Sequence, residues 1–210
     1  MTRCLLLASA LLIASCGPKS LTLPDQPMDR AATCGVVAVA EGRLGTADIK
    51  APLPFDAMGR VLHYTLLAGS AGDNFSSEAA ADVQRRMTDL QDSVTEGKWQ
   101  ELIPACRAAF PATAVSEVKL PPDRLDAQLG CYELGDFMRS ALEEQGKYDN
   151  ELGEYRQLDY KLDAAIGPSL RGRVGSGVEA QQEARRKALA KMAKAGPPIA
   201  VMKQCLARFG

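Results

Sequence analysis

The sequence predicts an all-α protein, a bundle of helical hairpins or a short array of them, closed by two disulfide bonds. Three observations support this prediction. From residue 31 onward, apolar residues recur every three or four positions, which is the spacing of one buried helix face. No stretch shows the alternation with period two that is typical of half-buried strands. Glycine and proline residues separate the periodic stretches, where helices are expected to end.

A proline-rich segment and two short helices come first in this scheme. The segment "GPKSLTLPDQPMDR" has three prolines and few apolar side chains, so we expect a flexible tether over 16–30 and the helical domain at 31–210. Short helices are expected at 31–42 and, after the loop "APLP", at 56–70. Asp56 is a candidate N-cap for the second of them.

The third and fourth predicted helices lie on either side of Gly97, which stops the third. Ser76 or Ser77 can cap the third helix, because a serine oxygen accepts a hydrogen bond from an unpaired first-turn N–H. The fourth helix begins near Trp99 and ends at Pro111. The apolar stripes of the two helices consist of Ala80, Val83, Met87, Leu90 and Val94, and of Leu102, Ile103, Cys106 and Phe110.

The second half of the chain is predicted to contain four more helices. Asp123 can cap the fifth helix, and Gly146 breaks it. A sixth helix runs from Tyr148 to Ile166, and the glycine-rich "GPSLRGRVGSG" after it is expected to be a flexible connection. The last two helices are the alanine-rich "VEAQQEARRKALAKMAKAG", strong by propensity, and the closing "PPIAVMKQCLARFG".

The N-terminal residues have the pattern of an export signal. Arg3 is followed by an apolar run from Leu5 to Ala14 and then by small residues. The run is about ten residues long, whereas a helix that spans a bilayer needs about 20 apolar residues. We therefore predict a secretory signal peptide and not a transmembrane anchor.

The sequence "IASC", which ends this apolar run, resembles the lipobox of bacterial lipoproteins, in which an aliphatic residue and two small ones precede an acceptor cysteine. The resemblance implies removal of a signal peptide at 1–15 and attachment of several acyl chains at Cys16, which together make a stable membrane anchor. Gly17 stands where an aspartate would retain such a protein in the inner membrane, so the outer membrane is expected. The alternative is a plain secreted protein in which Cys16 only lies near the cleavage site.

The other cysteines predict two disulfide bonds. Once the signal peptide is removed and Cys16 carries lipid, four cysteines remain, an even number in an oxidising compartment. Their long spacings and the single histidine do not favour zinc. Four cysteines can pair in three ways, and we favour Cys106 with Cys131, across the proline-rich connection between two helices. The remaining pair is then Cys34 with Cys205, and the other two pairings stay open.

Two of the predicted helix connections share a short sequence repeat. "EGKWQEL" (96–102) and "QGKYDNEL" (145–152) place Gly-Lys-aromatic at the same point between helices, at a spacing of 49 residues. This arrangement resembles the turn of a tetratricopeptide (TPR) hairpin and implies a groove that receives a protein segment. The TPR period is 34 residues and no full consensus is met. Convergence of two unrelated hairpins is the alternative.

No catalytic motif stands out in the chain. His63 is the only histidine and lies in the apolar stretch "GRVLHYTLL", so we expect a packed or surface side chain and not a base. Acidic pairs such as Glu143-Glu144 and Glu151 with Glu154 could serve a cell-wall hydrolase, but on amphipathic helices they are expected to be solvated. We predict no catalytic residue, no metal and no cofactor.

The charge is balanced overall but unevenly distributed. With 25 basic and 26 acidic residues, the chain does not suggest a nucleic-acid partner. Residues 133–163 carry nine acidic and four basic residues, whereas seven basic and no acidic residues lie from Arg185 to the end. Such asymmetry can hold two segments together or present a basic face to anionic lipid or to a partner.

These features predict a lipid-anchored cell-envelope protein of the outer membrane, facing the periplasm. Its helical domain is expected to act as a non-enzymatic adaptor that binds an envelope protein. One alternative is a structural lipoprotein that grips anionic lipid or cell wall through its basic C-terminal helix. A cell-wall hydrolase is the other.

Overall fold

Helices form the regular structure of the chain. A computed structural model describes residues 19–48, 50–143 and 147–210, and over these residues it contains α-helices and two short 3₁₀ turns but no strand. The all-α prediction is confirmed. The predicted signal peptide (1–15) and Cys16 lie outside the described residues. The helices are α1 (Pro27–Gly42), α2 (Phe55–Gly69), α3 (Ser77–Thr95), α4 (Ile103–Ala109), α5 (Arg124–Leu142), α6 (Asp149–Val174), α7 (Val178–Ala195) and α8 (Pro198–Phe209), and the 3₁₀ turns are Trp99–Leu102 and Pro111–Ala114.

The N-terminal half (residues 19–114) is organised around α1, which packs against α2 and α3. Helix α3 begins as predicted, because Ser76 Oγ accepts a hydrogen bond of 3.1 Å from the Ala79 N–H. Asp56 does not cap α2; the N-cap position is Pro54, and Asp56 lies in the first turn. The core of this half includes Val36, Val37, Val61, Val94, Trp99 and Leu102.

The C-terminal half (residues 115–210) is organised around α5, which packs against α6, α7 and α8. Asp123 caps α5 as predicted, since its Oδ1 accepts a hydrogen bond of 2.8 Å from the Asp126 N–H. The largest core cluster among the described residues lies mainly in this half. Its fully buried side chains include Leu134, Met138, Leu142, Leu158, Ile166, Met192 and Met202.

Helix α2 joins the two halves because both of its faces are buried. Val61 and Tyr64 pack into the N-terminal core, whereas Leu62 and Leu66 belong to the C-terminal core. The helix also contacts α7 and α8. Just before it, the Leu53 carbonyl accepts a hydrogen bond of 2.6 Å from the buried Tyr148 hydroxyl. The connection between the halves is therefore an apolar helix with a polar contact just before its first residue.

Two disulfide bonds are present, as predicted, but the predicted pairing is wrong. The bonds join Cys34 to Cys106 and Cys131 to Cys205, with Cα–Cα distances of 5.5 and 5.7 Å. Cys106–Cys131 and Cys34–Cys205 do not form, because α4 packs on α1 and α5 packs on α8. Neighbours in sequence are thus not neighbours in space at this point, and each bond lies within one half.

Helix α6 is longer than predicted, because it continues through Pro168 to Val174, into the segment expected to be a flexible connection. Proline has no N–H and normally ends or kinks a helix. Here Ile166 and Leu170, on either side of it, are both buried in the largest core, and this packing offsets the missing hydrogen bond. Gly175 ends the helix with φ of +83°. None of the described helices, including this one of 26 residues, is long and apolar enough to cross a membrane.

The segment predicted as a tether is partly built into the fold. Helix α1 begins at Pro27, and Arg30 in its first turn donates a hydrogen bond of 2.9 Å to the Pro24 carbonyl. Leu21 packs against Gly97, and the Lys19 carbonyl accepts a hydrogen bond of 3.0 Å from the next residue, Lys98. The predicted start of the domain at residue 31 is therefore too late. Apolar residues within a proline-rich stretch were sufficient for packing.

The two Gly-Lys-aromatic segments are followed by different structures. After Trp99 the chain forms a 3₁₀ turn and the seven-residue α4, whereas after Tyr148 it forms the 26-residue α6. Both aromatic side chains are buried. Helix α3 packs on α1 and α2, and α4 packs on α1 and the 3₁₀ turns. The similarity is therefore limited to the local sequence, and the described parts of these segments are not copies of one structural unit.

Candidate functional site

A polar cleft of about 420 Å³ lies where the two halves meet, and we call it the junction cleft. Its walls come from α1, α2, α4 and the second 3₁₀ turn, and Pro197, between α7 and α8, also lines it. The lining residues are Ala38, Glu41, Arg60, His63, Tyr64, Arg107, Thr113, Ala114 and Pro197.

His63 lies on the floor of the junction cleft with only 1 % of its surface exposed. Its Nε2 is 2.8 Å from the Ala193 carbonyl oxygen, and because a carbonyl only accepts, Nε2 carries the proton. Ala193 lies in the last turn of α7, where carbonyls lack helical partners, so the histidine caps this helix from α2. Burial lowers the pKa of His63 to about 4, against a smaller opposing effect of this hydrogen bond. The imidazole is therefore neutral near pH 7, and Nδ1 is an acceptor.

Tyr64 forms the neighbouring wall of the junction cleft. Its ring is buried and meets the Phe110 ring edge-on, with the ring centroids 5.3 Å apart. Burial raises the pKa of the Tyr64 hydroxyl, while the adjacent Thr113 side chain lowers it to a smaller extent. The phenol thus stays protonated and presents a neutral hydroxyl near the charged groups of the cleft.

Three charged side chains surround these neutral groups. Glu41 and Arg107 form an ion pair of 3.4 Å, and both are partly exposed. Arg60 is exposed on α2, and among the described residues no carboxylate lies within ion-pair distance of it. With a neutral His63, the formal charge of the cleft is +1. The cleft thus combines an unpaired cation with a neutral acceptor and a neutral hydroxyl.

The sequence prediction for His63 is confirmed in so far as the side chain is packed. The other polar residues of the junction cleft were not predicted, because Glu41, Arg60 and Arg107 come from three different helices. The one local signal was the His-Tyr pair within an otherwise apolar helix. Within residues 19–48, 50–143 and 147–210, no three histidine, cysteine, aspartate or glutamate residues converge as a metal site would require.

A second polar cluster lies between α5 and α6. Asp159 is 7 % exposed, and its Oδ2 accepts a hydrogen bond of 2.9 Å from Arg139 Nε. Its Oδ1 is buried against the backbone at Gly135 without a hydrogen-bond partner. Burial raises the pKa of Asp159 to about 6, despite the opposing effect of Arg139. Because both oxygens are engaged with or covered by the protein, this carboxyl chiefly holds the two helices together.

The predicted acidic pairs are not gathered into one site. Glu143 pairs with Arg139 at 3.4 Å and with Arg156 at 3.3 Å, and Glu144 lies outside the described residues. Glu151 and Glu154 line a different, shallow depression near α8. The expectation that such residues lie on solvated helix faces agrees with their exposure.

The basic end of the chain is largely engaged within the fold. Arg185 pairs with Glu133 at 2.6 Å, and Lys191 pairs with Asp126 at 3.2 Å. The charge asymmetry in the sequence therefore partly reflects contacts between α5 and α7. Two further basic side chains donate to backbone carbonyls: Lys194 to Gly72 at 2.7 Å and Arg208 to Pro121 at 3.0 Å.

Comparisons with known proteins identify no relative of this chain. Searches with protein-family models, against curated proteins and against solved structures find no match to the chain.

Proposed function

We propose that this protein is a lipid-anchored envelope protein whose helical domain binds a partner protein without chemically altering it. The lipid is attached at Cys16 and holds the domain at the periplasmic face of the outer membrane. The "IASC" pattern supports the anchor. The two disulfide bonds support an oxidising compartment, because such bonds are rare where thiols are kept reduced.

The junction cleft is the observation that carries the binding role. Ligand sites are concave and contain convergent polar groups that fix the orientation of the ligand. The junction cleft contains such groups, with Arg60 unpaired among the described residues and the neutral His63 and Tyr64 beside it. An exposed arginine that lines a cavity, with no carboxylate of the described residues paired to it, is available to a ligand.

The geometry favours this role over the two alternatives. Of the seven basic residues in the C-terminal segment, Arg185 and Lys191 are paired with carboxylates. These two pairs reduce the charge available to anionic lipid. The carboxyl group with the most perturbed pKa, Asp159, is engaged with Arg139 and covered by α5, which favours a packing role over hydrolysis.

The proposal is tested by photo-cross-linking in intact cells. A photoreactive amino acid replaces Ala114, an exposed residue that lines the junction cleft, so that Arg60 is kept. Captured proteins are identified by mass spectrometry of the membrane fraction, and we expect one dominant envelope protein, linked from position 114. A matched probe at Val178, which is 77 % exposed but does not line the cleft, is expected to capture none of it.

A Cys16→Ser variant tests the anchor in the same cells. We expect the unmodified chain to sediment with membranes and its N-terminal fragment to carry the mass of the lipid on Cys16. The variant should instead be found in the soluble fraction. Equal capture from positions 114 and 178, or no capture from position 114, would contradict the binding proposal whatever the fate of the anchor.

A further inference from the structure

We propose that the junction cleft recognises the free carboxylate at the C-terminal end of a protein chain. This inference rests on the proposed function and specifies the part of the partner that is bound. It follows from the sign and size of the charge in the cleft, from the hydrogen-bonding state of its neutral groups, and from its shape.

The charge of the junction cleft fits a ligand that carries a single negative charge. Arg107 is already partly neutralised by Glu41 at 3.4 Å, so the uncompensated cation is Arg60. Arginine presents several N–H donors in a plane and matches the two oxygens of a carboxylate. A phosphate with close to two negative charges would be repelled by Glu41 in the same cleft. The site therefore suits a carboxylate better than a phosphate.

The neutral groups fit the N–H and C=O groups that accompany a terminal carboxylate. His63 donates through Nε2 to Ala193, so only its acceptor nitrogen, Nδ1, is left to a ligand. Glu41 is a second acceptor, and the Tyr64 hydroxyl can either donate or accept. A peptide end brings an amide N–H a few ångströms from its carboxylate. The cleft can therefore satisfy both groups at once.

The shape of the junction cleft fits a short segment of a chain. The polar lining residues are accompanied by small side chains and a proline, namely Ala38, Ala114 and Pro197, which leave room for a ligand. The volume of about 420 Å³ lies within the range of small-ligand pockets. The cleft can therefore take the last residues of a chain.

The test uses NMR titration of the isotope-labelled soluble chain (residues 16–210, with Cys16→Ser) and two libraries of acetylated tripeptides. The libraries have the same mixed composition, one with a free C-terminal carboxylate and one with a C-terminal amide. We expect resonances of His63 and Tyr64 to shift on addition of the acids, and the acids to bind at least tenfold more tightly than the amides. Charge-assisted hydrogen bonds account for a difference of this order.

Arg60→Gln is the decisive variant, because Arg60 is exposed and its loss leaves no buried group unpaired. We expect it to weaken binding of the acids about tenfold and to leave binding of the amides nearly unchanged. Arg171→Gln, which removes an exposed arginine from α6 away from the cleft, is the matched control and should change neither. Far-UV circular dichroism confirms that both variants are folded.

Several outcomes would overturn the inference. Equal binding of acids and amides, absence of binding, or stronger binding of inorganic phosphate would each do so. A preference for tripeptides that end in D-alanine would assign the site to a wall peptide and not to a protein. If cross-linking from position 114 captures a partner while the tripeptides show no preference for the acid, the proposed function stands and only the chain-end inference is lost.

Discussion

Each half of the molecule contains one disulfide bond, but the two halves differ in how much their native packing depends on that bond. The Cys34–Cys106 bond spans 72 residues and the Cys131–Cys205 bond spans 74, so the two restrict the unfolded chain to nearly the same extent. The C-terminal bond lies in the largest core, beside long helices. The N-terminal bond holds the seven-residue α4, which is too short to be stable by itself. The two disulfide bonds therefore have nearly equal effects on the entropy of the unfolded chain. A difference between them in the native protein must come from the different packing around each bond.

Removing each disulfide bond tests this comparison and is expected to have the largest effect. For both Cys34→Ala/Cys106→Ala and Cys131→Ala/Cys205→Ala, loop-closure entropy predicts a loss of about 4 kcal/mol in the free energy of unfolding. Only the N-terminal variant should also lose peptide binding, because Arg107 directly follows Cys106. Urea unfolding and the NMR titration measure the two quantities. Retained binding in the N-terminal variant would show that packing alone holds α4.

The second largest expected effect is the pH dependence of stability, which has opposite signs for His63 and Asp159. His63 at the junction has a pKa of about 4, below its ordinary value of 6.5, so its contribution is complete above pH 6.5 and is lost as the pH falls towards 4. Asp159 within the C-terminal half has a pKa of about 6, above its ordinary 3.8, so its contribution is complete below pH 3.8 and is lost as the pH rises towards 6. Each shift corresponds to roughly 3 kcal/mol at most. Between pH 4 and 6 the two effects nearly cancel.

An Asp159→Asn variant separates these effects. Without the carboxyl group, the free energy of unfolding should rise by up to about 3 kcal/mol from pH 4 to 6.5, because the opposing effect of Asp159 is removed. Burial also raises the pKa of Glu133, which makes the rise smaller. The unmodified chain should show a much flatter profile over the same interval. Urea unfolding at half-unit steps of pH provides the comparison. A variant profile as flat as that of the unmodified chain would contradict the assignment to His63.

A matched pair of glycines tests how tightly each half is packed. A methyl group at Gly35 in α1 would meet the Met87 sulfur at 2.6 Å, and one at Gly130 in α5 would meet Met192 Cγ at 2.5 Å. Met87 is partly exposed and lines a surface groove, so it can move; Met192 is fully buried. Both changes gain about 1 kcal/mol of helix propensity. We therefore expect Gly35→Ala to be near neutral and Gly130→Ala to lose about 2 kcal/mol through overpacking.

Thermal and urea unfolding of the two glycine variants give the difference directly. Because the propensity gain is common to both, it cancels when one variant is compared with the other. Equal stabilities would mean that the N-terminal half is packed as rigidly as the C-terminal half.

The helix caps give the smallest expected differences. Ser76→Ala should destabilise the N-terminal half by about 1 kcal/mol through loss of the α3 cap. Asp123→Ala removes the α5 cap and also the pairing of Asp123 with Arg173 at 2.9 Å, so its effect should be larger at low salt. The additional loss of stability in Asp123→Ala, compared with Ser76→Ala, should decrease in 1 M salt, since salt screens exposed ion pairs. Salt-independent losses in both variants would mean that the ion pair makes no contribution.

Local and long-range features differ in how far the sequence predicts them. The caps at Ser76 and Asp123 were predictable because a cap depends on residues a turn away. The disulfide pairing was not, because it depends on α4 packing against α1, far back in the chain. The end of α6 was also predicted wrongly, because Pro168 and the glycines around it are typical of a helix end. The helix continues because Leu170 is buried in the core, a long-range contact that the local sequence does not show. The junction cleft combines three helices, and His63 was its one visible member.

The position of Arg107 next to Cys106 has a consequence for biogenesis. Until Cys34 and Cys106 are oxidised, no covalent bond holds the short α4 against α1, and packing alone positions this wall of the junction cleft. Under the proposed function, newly made chains with free thiols would bind the partner less tightly before export than after it. Oxidation would then be a maturation step that completes the cleft in the compartment where the partner is met.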